Sequence, residues 1–118
     1  MARILLVEDD AEVRVVFEHV LVDDGHEVEA VTTFVAGDEQ LTRYDYDLLV
    51  TDGRLPDGTG LMLADRAATR QIPCLIVTGY AFSLREEPGI DLSRYTVLLK
   101  PIRPSELIAA VRQALKPD

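Results

Sequence analysis

Short runs of apolar residues recur along the chain, and between them apolar residues are spaced three and four apart. A short apolar run is typical of a buried strand, whereas strict alternation is typical of a strand with one exposed face. The buried strands predicted in this way lie at 4–7, 48–50, 74–77 and 97–99. Residues 27–31 alternate strictly and therefore predict an edge strand.

Helices are predicted between these strands. The first helix is indicated by apolar residues at helical spacing, namely Val13, Val16, Phe17, Val20 and Leu21. Gly25 follows it as a stop, and the second helix is predicted at 34–43 although Gly37 lowers its helix propensity. The third is predicted at 61–70, and the last begins near Pro104, because proline suits a first turn.

The stretch 81–95 should contain one more helix, but Glu86-Glu87-Pro88-Gly89 disfavours a continuous one. We expect a short, displaced or mobile segment there. Strands that alternate with helices imply an α/β domain, here 1–118, with a mostly parallel sheet covered on both faces. In such sheets the ligand site lies at the carboxyl ends of the strands.

Composition narrows the function classes. The chain has 118 residues and a formal charge of −9, and its 12 basic residues are scattered, which excludes a typical nucleic-acid surface. No apolar run approaches the roughly 20 residues that span a bilayer, and the acidic N-terminal region does not resemble a signal peptide. The single cysteine, Cys74, fits a reducing cytoplasm.

Polar residues follow four of the predicted strands. They are Glu8-Asp9-Asp10 after the first, Asp52 after the third, Thr78 after the fourth and Lys100-Pro101 after the fifth. Carboxyl groups, a hydroxyl and an amine are therefore expected at one edge of the sheet. Clustered carboxylates repel one another and call for a cation, and Mg²⁺ prefers oxygen ligands.

The segments ILLVEDD, LLVTDGRLPDGTG, LIVTG and VLLKP occur in this order along the chain, and with them the sequence resembles the response-regulator receiver family. The resemblance implies a flavodoxin-like (βα)5 three-layer sandwich with a parallel sheet of order 2-1-3-4-5. It further implies that Asp52 is the phosphoacceptor and that Mg²⁺ (or Mn²⁺) is the cofactor. The implied metal ligands are Glu8, mainly through water, Asp9, Asp52 and the backbone carbonyl of Arg54.

By the same resemblance, Thr78 and Lys100 contact phosphoryl oxygens, and the bond before Pro101 is a candidate for the cis isomer. The sequence departs from the family where Thr78 is followed by Gly79 and Tyr80, and where Val97 replaces the usual switch aromatic. The Thr-Gly-Tyr sequence is similar to a subset of single-domain receivers often paired with HWE-type histidine kinases. Thr78 and Tyr80 are the candidate switch residues, and covering the core is the alternative role for Tyr80.

The function that the resemblance implies is phosphoacceptance from a cognate histidine kinase, with output by binding a partner or by onward phosphotransfer. The chain is not expected to be an enzyme in its own right, to bind nucleic acid or to enter a membrane, and a homodimer is an allowed association. A full single-domain regulator and an excised domain both remain open. The alternatives are a non-phosphorylated pseudo-receiver scaffold and an aspartyl-nucleophile phosphatase, although the latter typically needs a second acid where this chain has Arg54.

Several polar residues are given no chemical role. Asp10 is not expected to be a direct metal ligand, and Asp57 is interpreted as a turn or cap residue. The two histidines, His19 and His26, are expected at the surface, and Cys74 is expected to be buried and inert. Arg14 and Arg54 are both candidates for steering the partner or the phosphoryl group, and the side chain of Arg54, two residues after Asp52, is also a candidate for modulating the lifetime of the phosphoryl group.

Overall fold

Five parallel strands form the central sheet of the computed structural model, which describes residues 2–79 and 96–116. The strands are β1 (Arg3–Val7), β2 (Glu27–Val31), β3 (Leu48–Asp52), β4 (Cys74–Thr78) and β5 (Thr96–Leu99). Their order across the sheet is β2-β1-β3-β4-β5, with parallel pairing throughout. The predicted order is confirmed, and because the strand order reverses at β1 and β3, a crevice is expected at their carboxyl ends.

Four helices cover the sheet in the described residues. They are α1 (Ala11–Asp23), α2 (Phe34–Arg43), α3 (Gly60–Thr69) and α4 (Pro104–Leu115). Ile4 and Leu6 point to one face, where they join the core formed with α1 and α4, and Leu5 and Val7 point to the other, towards α2 and α3. Successive side chains of a strand point to opposite faces of the sheet, so alternate residues of β1 pack against the two helical layers.

The helix boundaries follow from local chemistry. Gly25 has a φ of 94°, a left-handed conformation that ends α1 as predicted. Gly37 is tolerated inside α2 because a Cβ atom there would lie 3.0 Å from Val7 Cγ2. The glycine that weakened the prediction of α2 therefore lets this helix pack closely on β1.

Some expectations are corrected or extended by the structure. The segment after β3 forms a two-stranded hairpin, Arg54–Leu55 with Gly58–Thr59, where only a turn was predicted. Val16, placed on the apolar face of the first helix, is 52% exposed. The irregular segment predicted at 81–95 lies outside the described residues. Within the described ranges, no helix is long and apolar enough to cross a membrane.

His26 was expected at the surface, and this prediction is wrong. Its side chain is 10% exposed, and its Nδ1 accepts a hydrogen bond of 3.2 Å from the backbone N–H of Ala2. Its Nε2 lies 3.6 Å from Asp24 Oδ2. The parallel pairing of β1 with β2 brings the residue before β2 beside the beginning of β1, and burial follows from that pairing.

Candidate functional site

Three carboxyl groups meet at the carboxyl ends of β1 and β3. Glu8 and Asp9 directly follow β1, and Asp52 is the last residue of β3. One oxygen atom of each lies within 4.8 Å of the others. Glu8 and Asp52 are buried, at 1% and 8% exposure, whereas Asp9 is exposed to the cleft. The parallel topology thus brings together acids that are 43 residues apart in the chain.

Lys100 supplies a positive charge to this group. Its Nζ lies 2.6 Å from Glu8 Oε1 and 3.2 Å from Asp52 Oδ2. The Lys100 N–H donates to the carbonyl of Thr78 at 3.0 Å, which continues the pairing of β5 with β4 by one residue. The Lys100–Pro101 peptide bond is cis, the isomer for which Pro101 was the candidate.

Burial and charge shift the acid–base properties of the cluster. Burial, reinforced by the nearby Asp52, raises the pKa of Glu8 from 4.5 to about 7, although the hydrogen bond from Lys100 opposes the shift. For Lys100, burial acts to lower the pKa, but the hydrogen bond to Glu8 and the charge of Asp52 outweigh it and raise the pKa. The lysine therefore stays charged, and Glu8 is poised between its two protonation states near neutral pH.

Two glycine residues, Gly53 and Gly60, allow the backbone around Asp52 to lie very close to neighbouring segments. A Cβ atom on Gly60 would lie 2.1 Å from the carbonyl oxygen of Asp52, and one on Gly53 would lie 2.8 Å from Thr78 Oγ1. The N–H of Arg54 donates to Asp52 Oδ1 at 3.3 Å. Thr78 is fully buried, and its side chain lies close to Gly53, the residue that follows Asp52. The hydroxyl residue and the acid are thus adjacent, as their places on neighbouring strands require.

The segment between β1 and α1 is held by two further side chains. Asp10 caps α1 by accepting hydrogen bonds from the N–H groups of Glu12 at 2.9 Å and Val13 at 3.2 Å. Arg14 Nη1 donates to the carbonyl of Glu8 at 3.1 Å. The sequence interpretation missed this contact of Arg14, since a basic residue in the first turns of a helix gives no sign of reaching back to a strand end.

An open cleft of about 580 Å³ lies over these residues. Asp9, Asp10, Asp52, Arg54, Gly79 and Lys100 are among the residues that line it. Its carboxylate oxygens are hard ligands of the kind that Mg²⁺ and Mn²⁺ prefer, and the described residues add no histidine or cysteine to the cluster. The donor set therefore fits a hard divalent cation.

The sequence matches the family model described as the response regulator receiver domain over residues 4–112. The chain belongs to this family. A relative found among curated proteins is the phosphate regulon transcriptional regulatory protein PhoB of Klebsiella pneumoniae, 30% identical over 97% of this chain and 52% of the relative. The response regulator ArlR of Staphylococcus haemolyticus is 29% identical, with 53% of its length covered. The chain thus spans about half the length of the curated relatives it matches.

Solved receivers have the same architecture. The receiver domain of the sensor histidine kinase PA1611 from Pseudomonas aeruginosa PAO1 superposes with a TM-score of 0.82 at 26% identity, covering 97% of each chain. That structure has a magnesium ion coordinated in its active-site cleft. A CheY-like receiver from Methanospirillum hungatei JF-1 gives a TM-score of 0.81 at 28% identity, covering 98% of this chain and 94% of the other.

This receiver domain is a two-component signalling module rather than an enzyme. Its acidic cluster of Glu8, Asp9 and Asp52 is consistent with a phosphorylation site. A receiver also implies a cognate histidine kinase.

Asp57 and Tyr80 are the other two residues singled out in the sequence near this site. Asp57 was interpreted as a turn or cap residue, and it caps α2, with Oδ1 accepting from the Phe34 N–H at 2.7 Å and Oδ2 from the Val35 N–H at 3.0 Å. The hydrogen bond from the Val35 N–H lowers the pKa of the Asp57 carboxyl group and burial raises it. With the second hydrogen bond, from Phe34, the net effect is a lowered pKa. Tyr80, the candidate switch residue, lies outside the described residues.

Proposed function

We propose that Asp52 of this receiver accepts a phosphoryl group from the phosphohistidine of a cognate histidine kinase. The observation that carries this proposal is the contact of Asp52 Oδ2 with Lys100 Nζ at 3.2 Å, within an acidic cluster open to a cleft. In the transfer, a bond forms between a carboxylate oxygen of Asp52 and phosphorus, while the bond between phosphorus and the histidine nitrogen breaks. The electron pair of the broken bond stays on the histidine nitrogen, and with a proton on the other ring nitrogen of the phosphohistidine the products are an aspartyl phosphate and a neutral imidazole.

Magnesium or manganese would be held by Asp9, Asp52 and the backbone carbonyl of Arg54, with Glu8 acting mainly through water. When bound, the cation would offset charge on the transferring oxygens. The chain's own contribution is positioning: Lys100 pairs with one phosphoryl oxygen and the hydroxyl of Thr78 donates to another. Support comes from the hard oxygen ligands of the cluster and from the magnesium in the related PA1611 receiver.

Phosphorylation would favour one of two conformations of the domain, for which a few kcal/mol of differential stabilisation suffices. We propose that the favoured conformation controls binding of an output protein or onward transfer to a phosphotransfer protein. The proposed unit is one receiver domain over 1–118, cytoplasmic, without direct nucleic-acid or membrane binding, and with a homodimer as an allowed association.

The Thr-Gly-Tyr sequence supports assignment to the single-domain subset, with Thr78 sensing the phosphoryl group and Tyr80 reporting it. Replacement of Tyr80 by alanine should abolish phosphorylation-dependent partner binding while leaving phosphorylation itself intact. A Tyr80→Ala variant that binds the partner as the parent does would contradict the reporting role.

The experiment that tests the phosphoacceptor is incubation with acetyl phosphate and Mg²⁺, followed by intact mass measurement. The wild-type chain should gain one phosphoryl group, and Asp52→Ala should gain none. Asp45→Asn is the matched control, since Asp45 is a fully exposed acid outside the cluster, and it should behave as the wild type. Absence of any gain would favour a pseudo-receiver scaffold, whereas steady hydrolysis of a phosphomonoester would favour a phosphatase.

A further inference from the structure

Asp57 follows Asp52 by five residues, yet its side chain binds the first turn of α2 rather than its own loop. The first four N–H groups of a helix have no partner within the helix. In α2 the Asp57 carboxylate accepts from Phe34 and Val35, the Thr33 hydroxyl accepts from Ala36 at 3.1 Å, and the Thr33 carbonyl accepts from Gly37 at 3.0 Å. The bond of Gly37 is the ordinary intrahelical one, so of the three N–H groups at this helix end that are capped by side chains, two are bound by Asp57, in the segment that follows Asp52.

The segment between Asp57 and Asp52 is ordered by the hairpin. Leu55 pairs with Gly58 and Arg54 pairs with Thr59. The N–H of Arg54 in turn donates to Asp52 Oδ1 at 3.3 Å. A displacement of the chain at Asp57 is therefore passed through the hairpin to the backbone of Arg54 and to the carboxylate of Asp52.

The backbone of the hairpin also touches α2. A Cβ atom on Gly58 would lie 2.8 Å from Cγ of the Phe34 ring, so the two segments are already in close contact. α2 itself is packed on β1 through Gly37 and Val7. The Asp57 carboxylate thus ties the hairpin to an element that is fixed on the sheet.

We propose that Asp57 is a positioning residue for the metal site. It holds the hairpin so that the Arg54 backbone carbonyl and the Asp52 carboxylate keep the orientation needed to bind the cation. This inference rests on the proposed function, because that function supplies the role of the Arg54 carbonyl.

Four variants of the full chain test the proposal. Asp57→Ala removes both acceptors of the α2 cap that belong to the hairpin, and Asp57→Asn keeps one of them. Thr33→Ala is the control for the cap, because it removes a hydrogen bond from the same helix end without touching the hairpin. Asp45→Asn is the control for charge, because it also removes one exposed carboxylate.

Mg²⁺ binding is measured by titration calorimetry, and the dependence of acetyl phosphate reactivity on Mg²⁺ concentration is measured separately. Asp57→Ala should raise the Mg²⁺ dissociation constant roughly tenfold, the low end of the effect of removing a residue that supports metal ligands. Asp57→Asn should give a smaller rise. Both controls should stay within about twofold of the wild type, and in Asp57→Ala the Mg²⁺ concentration that gives half-maximal reaction with acetyl phosphate should rise together with the dissociation constant.

An unchanged dissociation constant in Asp57→Ala would overturn the proposal, and so would an equal rise in Thr33→Ala, since the effect would then be general loss of α2 stability. If the wild type binds Mg²⁺ but gains no phosphoryl group, the proposed function fails while the calorimetric comparison still decides the role of Asp57. If the wild type binds no Mg²⁺, the positioning role is overturned as well.

Discussion

Lys100 and Glu8, separated by 92 positions in the chain, form an ion pair of 2.6 Å in which the acid is almost completely buried. The same ammonium group lies 3.2 Å from Asp52. With all three acids of the cluster ionised, three negative charges and one positive charge leave a net charge of −2, which one divalent cation would neutralise. Lys100 therefore reduces the repulsion among the acids when no metal is bound, and the remaining negative charge matches that of one divalent cation.

Removing this lysine should destabilise the domain. In Lys100→Ala two buried carboxylates lose the ammonium group with which both form ion pairs. We expect the free energy of unfolding at pH 8 without metal to fall by about 2 kcal/mol, less than for a fully buried pair because the lysine is partly exposed. Urea denaturation measures this change. Lys116→Ala, at an exposed site, should change it by less than about 0.5 kcal/mol.

The raised pKa of Glu8 should make stability depend on pH. Folding raises this pKa from 4.5 to about 7, so the folded chain binds more protons than the unfolded chain between these values. The free energy of unfolding should therefore decrease as the pH rises from about 4.5 to about 7, and Glu8 should add no further change above that range.

Glu8→Gln isolates this contribution, because it removes the titrating carboxyl group and keeps a side chain of similar size. With EDTA present, the wild type should lose about 2 kcal/mol more than Glu8→Gln between pH 5 and pH 8, since a pKa unit is worth about 1.4 kcal/mol and water screens part of the effect. Parallel pH profiles for the two proteins in urea titrations would show that Glu8 titrates normally.

The close approach of Gly60 to Asp52 predicts a position where only glycine fits. A Cβ atom there would lie 2.1 Å from the carbonyl oxygen of Asp52, so Gly60→Ala must displace the backbone at Asp52. We expect a loss of about 3 kcal/mol in thermal or urea unfolding. Gly79→Ala serves as the comparison, because its Cβ atom would meet nothing within 4 Å among the described residues, and a similar loss there would disprove the steric explanation.

Cys74 should be unreactive in the folded protein. Burial raises the pKa of its thiol to about 12, and the thiolate is the reactive form. Reaction with a disulfide reagent at pH 8 should be slower than in the urea-unfolded chain by about 100-fold or more. A folded-state rate close to that of the unfolded chain would mean that the strand containing Cys74 opens readily.

The elements of this fold were largely predictable because their apolar spacing is regular. The second helix was predicted at 34–43 and the last from Pro104, and both agree with the structure. The gathering of Glu8, Asp9 and Asp52 followed from a parallel sheet, in which carboxyl ends share one edge. Local patterns carry no such rule for contacts between distant loops.

The contacts that were not predicted join different segments of the chain. No regular spacing of residues in the sequence indicates such contacts. Asp57 was interpreted as a cap, but nothing in its neighbourhood indicated a helix that begins 23 residues earlier. His26 follows a turn glycine, and its burial depends on the strand pairing beside it. The reach of Arg14 to the carbonyl of Glu8 depends on the angle at which α1 leaves the strand.

Glu8, Asp9 and Asp10 are consecutive, and each has a different neighbourhood: the protein interior, the open cleft and the beginning of α1. Loops on protein surfaces usually absorb an added residue with little cost. One residue inserted at this junction would instead displace a buried acid, a cleft acid and a helix cap in a single event. We therefore expect the β1–α1 connection to tolerate an added residue less well than an ordinary surface loop does.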